Sequence, residues 1–541
     1  MKEKICIVVL LLLTFSVFSQ EFTRADTLRG SITPERAWWD VTYYDLKVAV
    51  NPSEKTIEGS NTISYKVLEP NEIMQIDLQA PMKIDKIIQD GKEISYTSEG
   101  NAHFLKLQKK QIENTEQKLT IYFSGKPIVA RRPPWDGGFT WSKDSNGNDF
   151  IATSNEGIGS SVWWPLKDHP SDEPDNGITI SVTAPKDLMD VSNGRLKEVI
   201  ENDKTKTWVW QVVNPINAYG VDINIGDYVY WSEKYKGEKG ILDMDYYVLR
   251  ENEAKAKKQF KQAPMMMEAF EHWFGSYPFY EDGYKLIEAP YLGMEHQSSV
   301  TYGNKFENGY LGRDLSATGW GMKFDFIIIH ESGHEWFANN ITSKDVADMW
   351  VHEGFTNYSE NLYLDYYFGK KASSEYVIGT RKKILNDRPI IGQYNVDNSG
   401  SSDMYYKGGN TLHMIRQLIE DDEKWRQILR GLNKEFYHQT VTTKQVEGYI
   451  SEKSGIDLSQ FFNQYLRTTM IPKVEYKIQG ENLKFRYVDI VENFNMPIIA
   501  IINGKEEWIS PTSEWKIKTT SSPIQTFQIK KDFYVNTEQA Q

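Results

Sequence analysis

The sequence predicts a multidomain protein of mixed α and β class. An N-terminal all-β, sandwich-like domain is expected over 20–231, a mostly α domain with a small sheet over 232–472, and a small C-terminal β domain over 473–541. Two observations carry this. At 541 residues the chain is too long for a single hydrophobic core, so about two to four domains are expected. The apolar period is two at the front, helical in the middle, and two again after Ile471-Pro472. A hydrophobic share of 40% beside 25% charged residues is that of an ordered globular chain and excludes extended disorder.

In chain order, Met1 to Lys4 and the apolar run Ile5 to Phe18 read as the charged and hydrophobic regions of a signal peptide over 1–19. Val17 and Ser19 supply the small residues of a cleavage site, and the run is short for a membrane anchor. Export to the periplasm or the medium follows as an expectation. The only cysteine, Cys6, lies inside that run, so the mature chain would carry no disulfide. Tyr44, Leu46, Val48 and Val50 alternate with more polar residues as a half-buried strand does, and Ile63 to Val67, Leu119 to Phe123, Ile178 to Val182 and Trp208 to Val213 repeat the pattern. Trp163 to Pro174, dense in aromatics, prolines and acids, reads as a long irregular connection. Beyond 232, Ala254 to Phe274, Gly409 to Glu420, Glu423 to Tyr437 and Leu458 to Leu466 have helical spacing, and the strands Val474 to Ile478 and Leu483 to Tyr487 follow.

The stretch from Phe324 to Tyr363 organises the middle domain. His330 and His334 stand four apart, so on a helix their imidazoles share one face and can share one cation. This is the H-E-x-x-H spacing. Catalytic zinc takes three protein ligands and keeps an open position, and Glu353, in Trp350-Val-His-Glu-Gly-Phe with 18 residues between it and His334, is the best third ligand. It falls on the first turns of a helix that Gly369 suits as a cap. Glu331, beside a ligand but projecting at another angle, can reach metal-bound water and reads as a general base. Glu360, two turns after Glu353, could orient a ligating histidine or lie on the surface.

These residues resemble the aminopeptidase N and leukotriene hydrolase family of gluzincin zinc metallopeptidases, on His330-Glu331-Ser-Gly-His334 followed by Glu353-Gly-Phe. The metzincin pattern is absent, since no histidine follows shortly after His334. The resemblance implies a thermolysin-like catalytic domain, one Zn2+ per chain, and peptide substrates with a free N-terminus. Leu292-Gly293-Met294-Glu295-His296 is similar to the family's G-x-M-E-N segment, which implies that Glu295 binds the free amino group while the backbone at Gly293 and Met294 lines the cleft. Leu292 and His296 depart from that pattern. Thr153-Ser-Asn-Glu156 matches the family's T-Q-x-E at Thr and Glu, which implies a second amino-terminal anchor at Glu156. Tyr405-Tyr-Lys-Gly408 resembles Y-x-K-G, and so implies Tyr405 as the donor to the oxyanion. No large helical C-terminal domain is legible after 472, so a short form is expected.

Net charge is −13, or −14 once Lys2, Glu3 and Lys4 are removed (−13 − 2 + 1). That balance disfavours nucleic acid, and no later segment reads as a membrane span. The reading is thus an exported zinc aminopeptidase. The alternatives are an endopeptidase or a di- or tripeptide-releasing enzyme on the same site, or a non-catalytic binding protein stabilised by zinc.

Overall fold

The structure, a computed structural model, describes residues 21–540; the expected signal peptide falls outside them. An eight-stranded sheet forms the N-terminal part. Its spatial order is 195–201, 205–212, 178–185, 39–51, 56–67, 116–125, 83–89 and 92–93. Trp39–Asn51 pairs parallel with Ile178–Pro185 and antiparallel with Thr56–Val67. Sheets of four strands (138–143, 149–154, 189–191, 224–226) and three strands (73–77, 96–99, 102–106) complete this part. Alternating apolar residues such as Leu46, Val48, Ile63, Ile121 and Ile180 fill one core with Trp39, Trp163 and Trp164. The stretch 163–174 is irregular as expected but buried: Trp163, Trp164 and Leu166 are fully covered, and Thr342 donates a 2.6 Å hydrogen bond to Glu173.

Two expectations need correction. The boundary at 231–232 falls inside the strand Tyr228–Gly237, which pairs with Gly240–Leu249 in a five-stranded sheet with 284–288, 300–302 and 293–294. Period-two alternation marks a strand but not the sheet it joins. The helix expected over 254–274 is two helices, Glu253–Gln259 and Gln262–Phe274. Pro264 has no N–H for the Phe260 carbonyl, so the chain breaks there and resumes with the proline in a first turn.

The helical part continues through Phe326–Gly333, Trp350–Phe368, Lys370–Thr380, Tyr406–Ile419, Asp422–Glu435, Thr443–Ser454 and Ser459–Arg467. Its core runs on without a break into the C-terminal strands, from Trp336, Phe355 and Leu412 to Val474, Ile498 and Phe527. Among the described residues no helix is long and apolar enough to cross a membrane.

Candidate metal centre and substrate cleft

The helix Phe326–Gly333 begins where the Asp325 carboxylate accepts from the backbone N–H groups of Ile327 and Ile328. Tyr302, Gln259 and Asn304 also donate to that carboxylate at 2.7–2.8 Å, so the cap is itself held in place. Three consecutive isoleucines bury the helix and aim His330 inward. His334 caps it and keeps helical backbone angles, φ −64° and ψ −18°. At Phe337 and Ala338 the backbone leaves the helix, with Ala338 at φ 147°, and turns toward Trp350–Phe368. Glu353 lies in the first turn of that helix and Gly369 ends it at φ 82°.

The three expected ligands converge. Glu353 Oε2 lies 3.7 Å from His330 Nε2 and 3.5 Å from His334 Nε2; tetrahedral zinc with bonds of about 2.1 Å sets its ligands about 3.4 Å apart. Glu353 is buried, and Oε2 has no hydrogen-bond partner among the described residues, so a cation between the three atoms satisfies a group that is otherwise costly to bury. Both imidazoles are fixed from behind. His330 Nδ1 lies 2.8 Å from Glu360 Oε1, and His334 Nδ1 lies 3.1 Å from the Phe337 carbonyl. Those acceptors keep the proton on Nδ1 and leave each Nε2 lone pair facing the centre. Glu360 is fully buried, bonded also by Tyr376 and Asn357, so it is no surface residue. The donor set, two imidazoles and one carboxylate, fits zinc.

A cavity of about 260 Å³ opens on this centre, lined among others by Glu156, Glu295, Glu331, Tyr405 and Tyr406. Burial, opposed by His330 and reinforced by Glu295 and Glu353, pushes the Glu331 carboxyl up to about 8. Gly293 is required beside it, because a Cβ there would lie 2.7 Å from Ile327 Cγ2 and 2.9 Å from Glu331 Oε1. Gly293–Met294 forms an edge strand paired, among the described residues, only with the strand Val300–Tyr302, so the backbone on its other side is open to an extended peptide.

Glu295 follows that strand. Tyr219 donates to its Oε1 at 3.2 Å, and Asn339 Nδ2 donates to its backbone carbonyl at 2.9 Å. Glu156 reaches the same place from the N-terminal part, where Tyr291 bonds the Thr153 carbonyl and Asn155 bonds the carbonyls of Tyr219 and Val221. Carboxylate oxygens of Glu156, Glu295 and Glu353 come within 4.8 Å of one another. Burial, then Glu295 and Glu353, push the Glu156 carboxyl well above its usual range. Such a cluster calls for positive charge from outside the chain. His296 is fully buried and outside the cavity lining, with Nδ1 3.3 Å from Asp222 Oδ2.

Tyr405 sits between a short 3-10 turn (402–404) and the helix Tyr406–Ile419, its ring 6.1 Å from that of His330. Burial, then Glu353 and Glu156, raise its hydroxyl far above the usual tyrosine range, so it remains a donor. A glycine pair sets its approach to Glu353: a Cβ on Gly408 would lie 2.9 Å from Gly354 Cα. The two helices therefore touch backbone to backbone just after Glu353 and Tyr405. Sequence reasoning quoted both glycines without their role, and gave none to Tyr219.

This fold and centre define a metallopeptidase scaffold. A family model described as "Peptidase M1 N-terminal domain" matches residues 41–219, and one described as "Peptidase family M1 domain" matches 259–465; the chain belongs to peptidase family M1. It is 22% identical over 497 residues to probable aminopeptidase 1 of Sulfurisphaera tokodaii, covering 86% of this chain and 59% of that one. It is 24% identical over 468 residues to aminopeptidase N of Lactobacillus helveticus, covering 80% and 51%. The chain thus spans little more than half the length of these curated relatives. Among solved structures, an M1 zinc metallopeptidase mutant from Deinococcus radiodurans bound to a Tyr-Ser-Ala substrate superposes with a TM-score of 0.70 at 20% identity, covering 82% of this chain and 98% of that one.

Proposed function

We propose that the chain is an exported zinc aminopeptidase that hydrolyses the first peptide bond of substrates with a free N-terminus. The observation that carries the reading is the approach of Glu156 and Glu295 to Glu353 within 4.8 Å. Two carboxylates beyond the ligand set give a substrate ammonium its acceptors one residue's length from the metal. The chemistry zinc supplies when bound is polarisation of the carbonyl and a water pKa of about 7.

Each residue then has one task. Glu331 accepts the proton of the attacking water and passes it to the leaving amine. Glu295, oriented by Tyr219, and Glu156 hold the ammonium. Tyr405 donates to the oxyanion, and the Gly293–Met294 edge aligns the peptide. The names of the relatives, aminopeptidases among them, support the reaction class, and the segment 1–19 supports export.

Free-amino and amino-acetylated peptides, assayed with and without a chelator, test the reaction. Equal cleavage of both peptides would replace this reading with an endopeptidase on the same centre. Sequencing the N-terminus of the protein recovered outside the cytoplasm tests export, with a start near Gln20 expected.

A further inference from the structure

A second cavity, of about 460 Å³, joins the metal cavity and shares Pro134, Trp135, Glu156, Ser402 and Tyr405 with it. The chemistry orients a substrate across this junction. The leaving amine must approach Glu331, and Glu331 lines only the smaller cavity, beside Gly293. The departing peptide therefore occupies that side. The first residue's Cα lies between an ammonium held at Glu156 and Glu295 and a carbonyl held near Tyr405, so its side chain has the larger cavity before it.

That cavity is completed by a helix that precedes both segments matched by the family models, Arg24–Gly30. Arg29 Nη1 bonds Asp168 at 3.0 Å, Nη2 bonds the Gly157 carbonyl at 3.1 Å, and Nε lies 3.3 Å from Asp397 Oδ2. Gly159, at φ 83°, leaves room for this, since a Cβ there would run into Arg29 and Asp168. The helix is held firmly. Buried Arg36 donates to the carbonyls of Leu28, Arg29 and Ser31 and pairs with Asp77 at 2.6 Å. At Gly30 the chain packs against the backbone of Val396, and Asp397 N donates to the Asp26 carbonyl.

The charges of the cavity do not balance. Arg29 offsets one of Asp168 and Asp397 but not both, while Arg388 bonds the Gly400 carbonyl and lies 3.9 Å from Asp387. His169 Nδ1 accepts from the Ser171 N–H and His352 Nε2 from the Ser343 N–H, so neither ring adds a charge. With Glu156 taken by the substrate ammonium, one negative charge remains. Asp397, whose side chain is 37% exposed against 6% for Asp168, is the carboxylate accessible to a ligand.

We infer that the larger cavity receives the side chain of the substrate's first residue and that Asp397, set in place by Arg29, selects lysine or arginine there. The inference rests on the aminopeptidase reading and adds the substrate class. A charge-assisted contact changes kcat/KM by roughly one to two orders of magnitude.

The test uses the whole zinc-loaded enzyme and arginyl, lysyl, leucyl and glutamyl reporter amides. The wild type should cleave the basic pair at least about tenfold better than the glutamyl reporter, and free L-arginine should compete better than L-norleucine. Asp397→Asn should lower the arginyl-to-leucyl ratio of kcat/KM by about tenfold, and Asp397→Glu should restore part of it. The wild-type profile and the competition need no variant to fold. Cleavage of the leucyl reporter without preference for basic over acidic residues overturns this inference and leaves the aminopeptidase. Failure on every reporter overturns both. An unchanged ratio in a folded Asp397→Asn removes Asp397 from the selection.

Discussion

His330 and Glu360 are joined by a 2.8 Å hydrogen bond between Nδ1 and Oε1, and Glu360 stands on the same helix as the candidate ligand Glu353, two turns further on. One rigid helix therefore supplies both a ligand and the group that orients another ligand. Glu360→Ala should weaken zinc binding about 10–100-fold, read by competition with a chelator, and excess zinc should restore much of the activity. Unchanged zinc affinity would show that the imidazole is oriented by packing alone.

Glu331→Gln should keep its zinc and lose about 10²–10⁴ in kcat, because the ligand atoms are untouched while the proton acceptor is gone. Elemental analysis beside a rate assay checks both halves. Loss of metal from this variant would make Glu331 part of the scaffold.

Tyr405→Phe removes one donor to the oxyanion and should cost about 10²–10³ in kcat with KM little changed. Tyr219→Phe removes the 3.2 Å bond to Glu295 and should cost about fivefold in kcat/KM, the scale of a single hydrogen bond of about 1 kcal/mol. A larger loss from Tyr406→Phe than from Tyr405→Phe would transfer the role to the next residue.

Gly408→Ala places a methyl 2.9 Å from Gly354 Cα, and no side chain can move aside. Destabilisation of about 1–3 kcal/mol is expected from overpacking, with a fall in kcat as Tyr405 is pushed away from the metal. A urea midpoint and a rate on the same sample measure this, and wild-type values for both would contradict the close packing.

How much of this was legible depends on the distance over which each signal acts. His330, His334 and Glu353 were readable because helical spacing is local and zinc restricts the ligand types. Glu360 was left open between orienting and surface roles, since its partner His330 is a neighbour only after two helices pack. Tyr219 carried no periodic signal at all; its role exists because Asn155 and Glu295 approach it from two different sheets. The break at Pro264 had a local cause in the sequence, whereas the assignment of Tyr228–Gly237 to the five-stranded sheet depends on pairing over long range.

Stability should fall on acidification in part through His169. Burial, with Arg36 nearby, holds its folded-state pKa at about 3 against the ordinary 6.5. Between these values the unfolded chain binds the extra proton, so stability rises with pH across that window and is lost as pH drops. At pH 5 the shortfall from this group is about 2 kcal/mol. Urea midpoints at pH 7 and pH 5 should differ less in His169→Gln, and an equal difference would place the acid sensitivity elsewhere.

Glu156 and Tyr219 reach the centre from the β-rich N-terminal part, whereas the candidate metal ligands lie on helices or at a helix end. Turnover is thereby a gauge of whether two halves of the chain are docked. In rising denaturant, cleavage of a free-amino reporter should fade at the concentration where the halves part, ahead of the loss of helical signal and of bound metal.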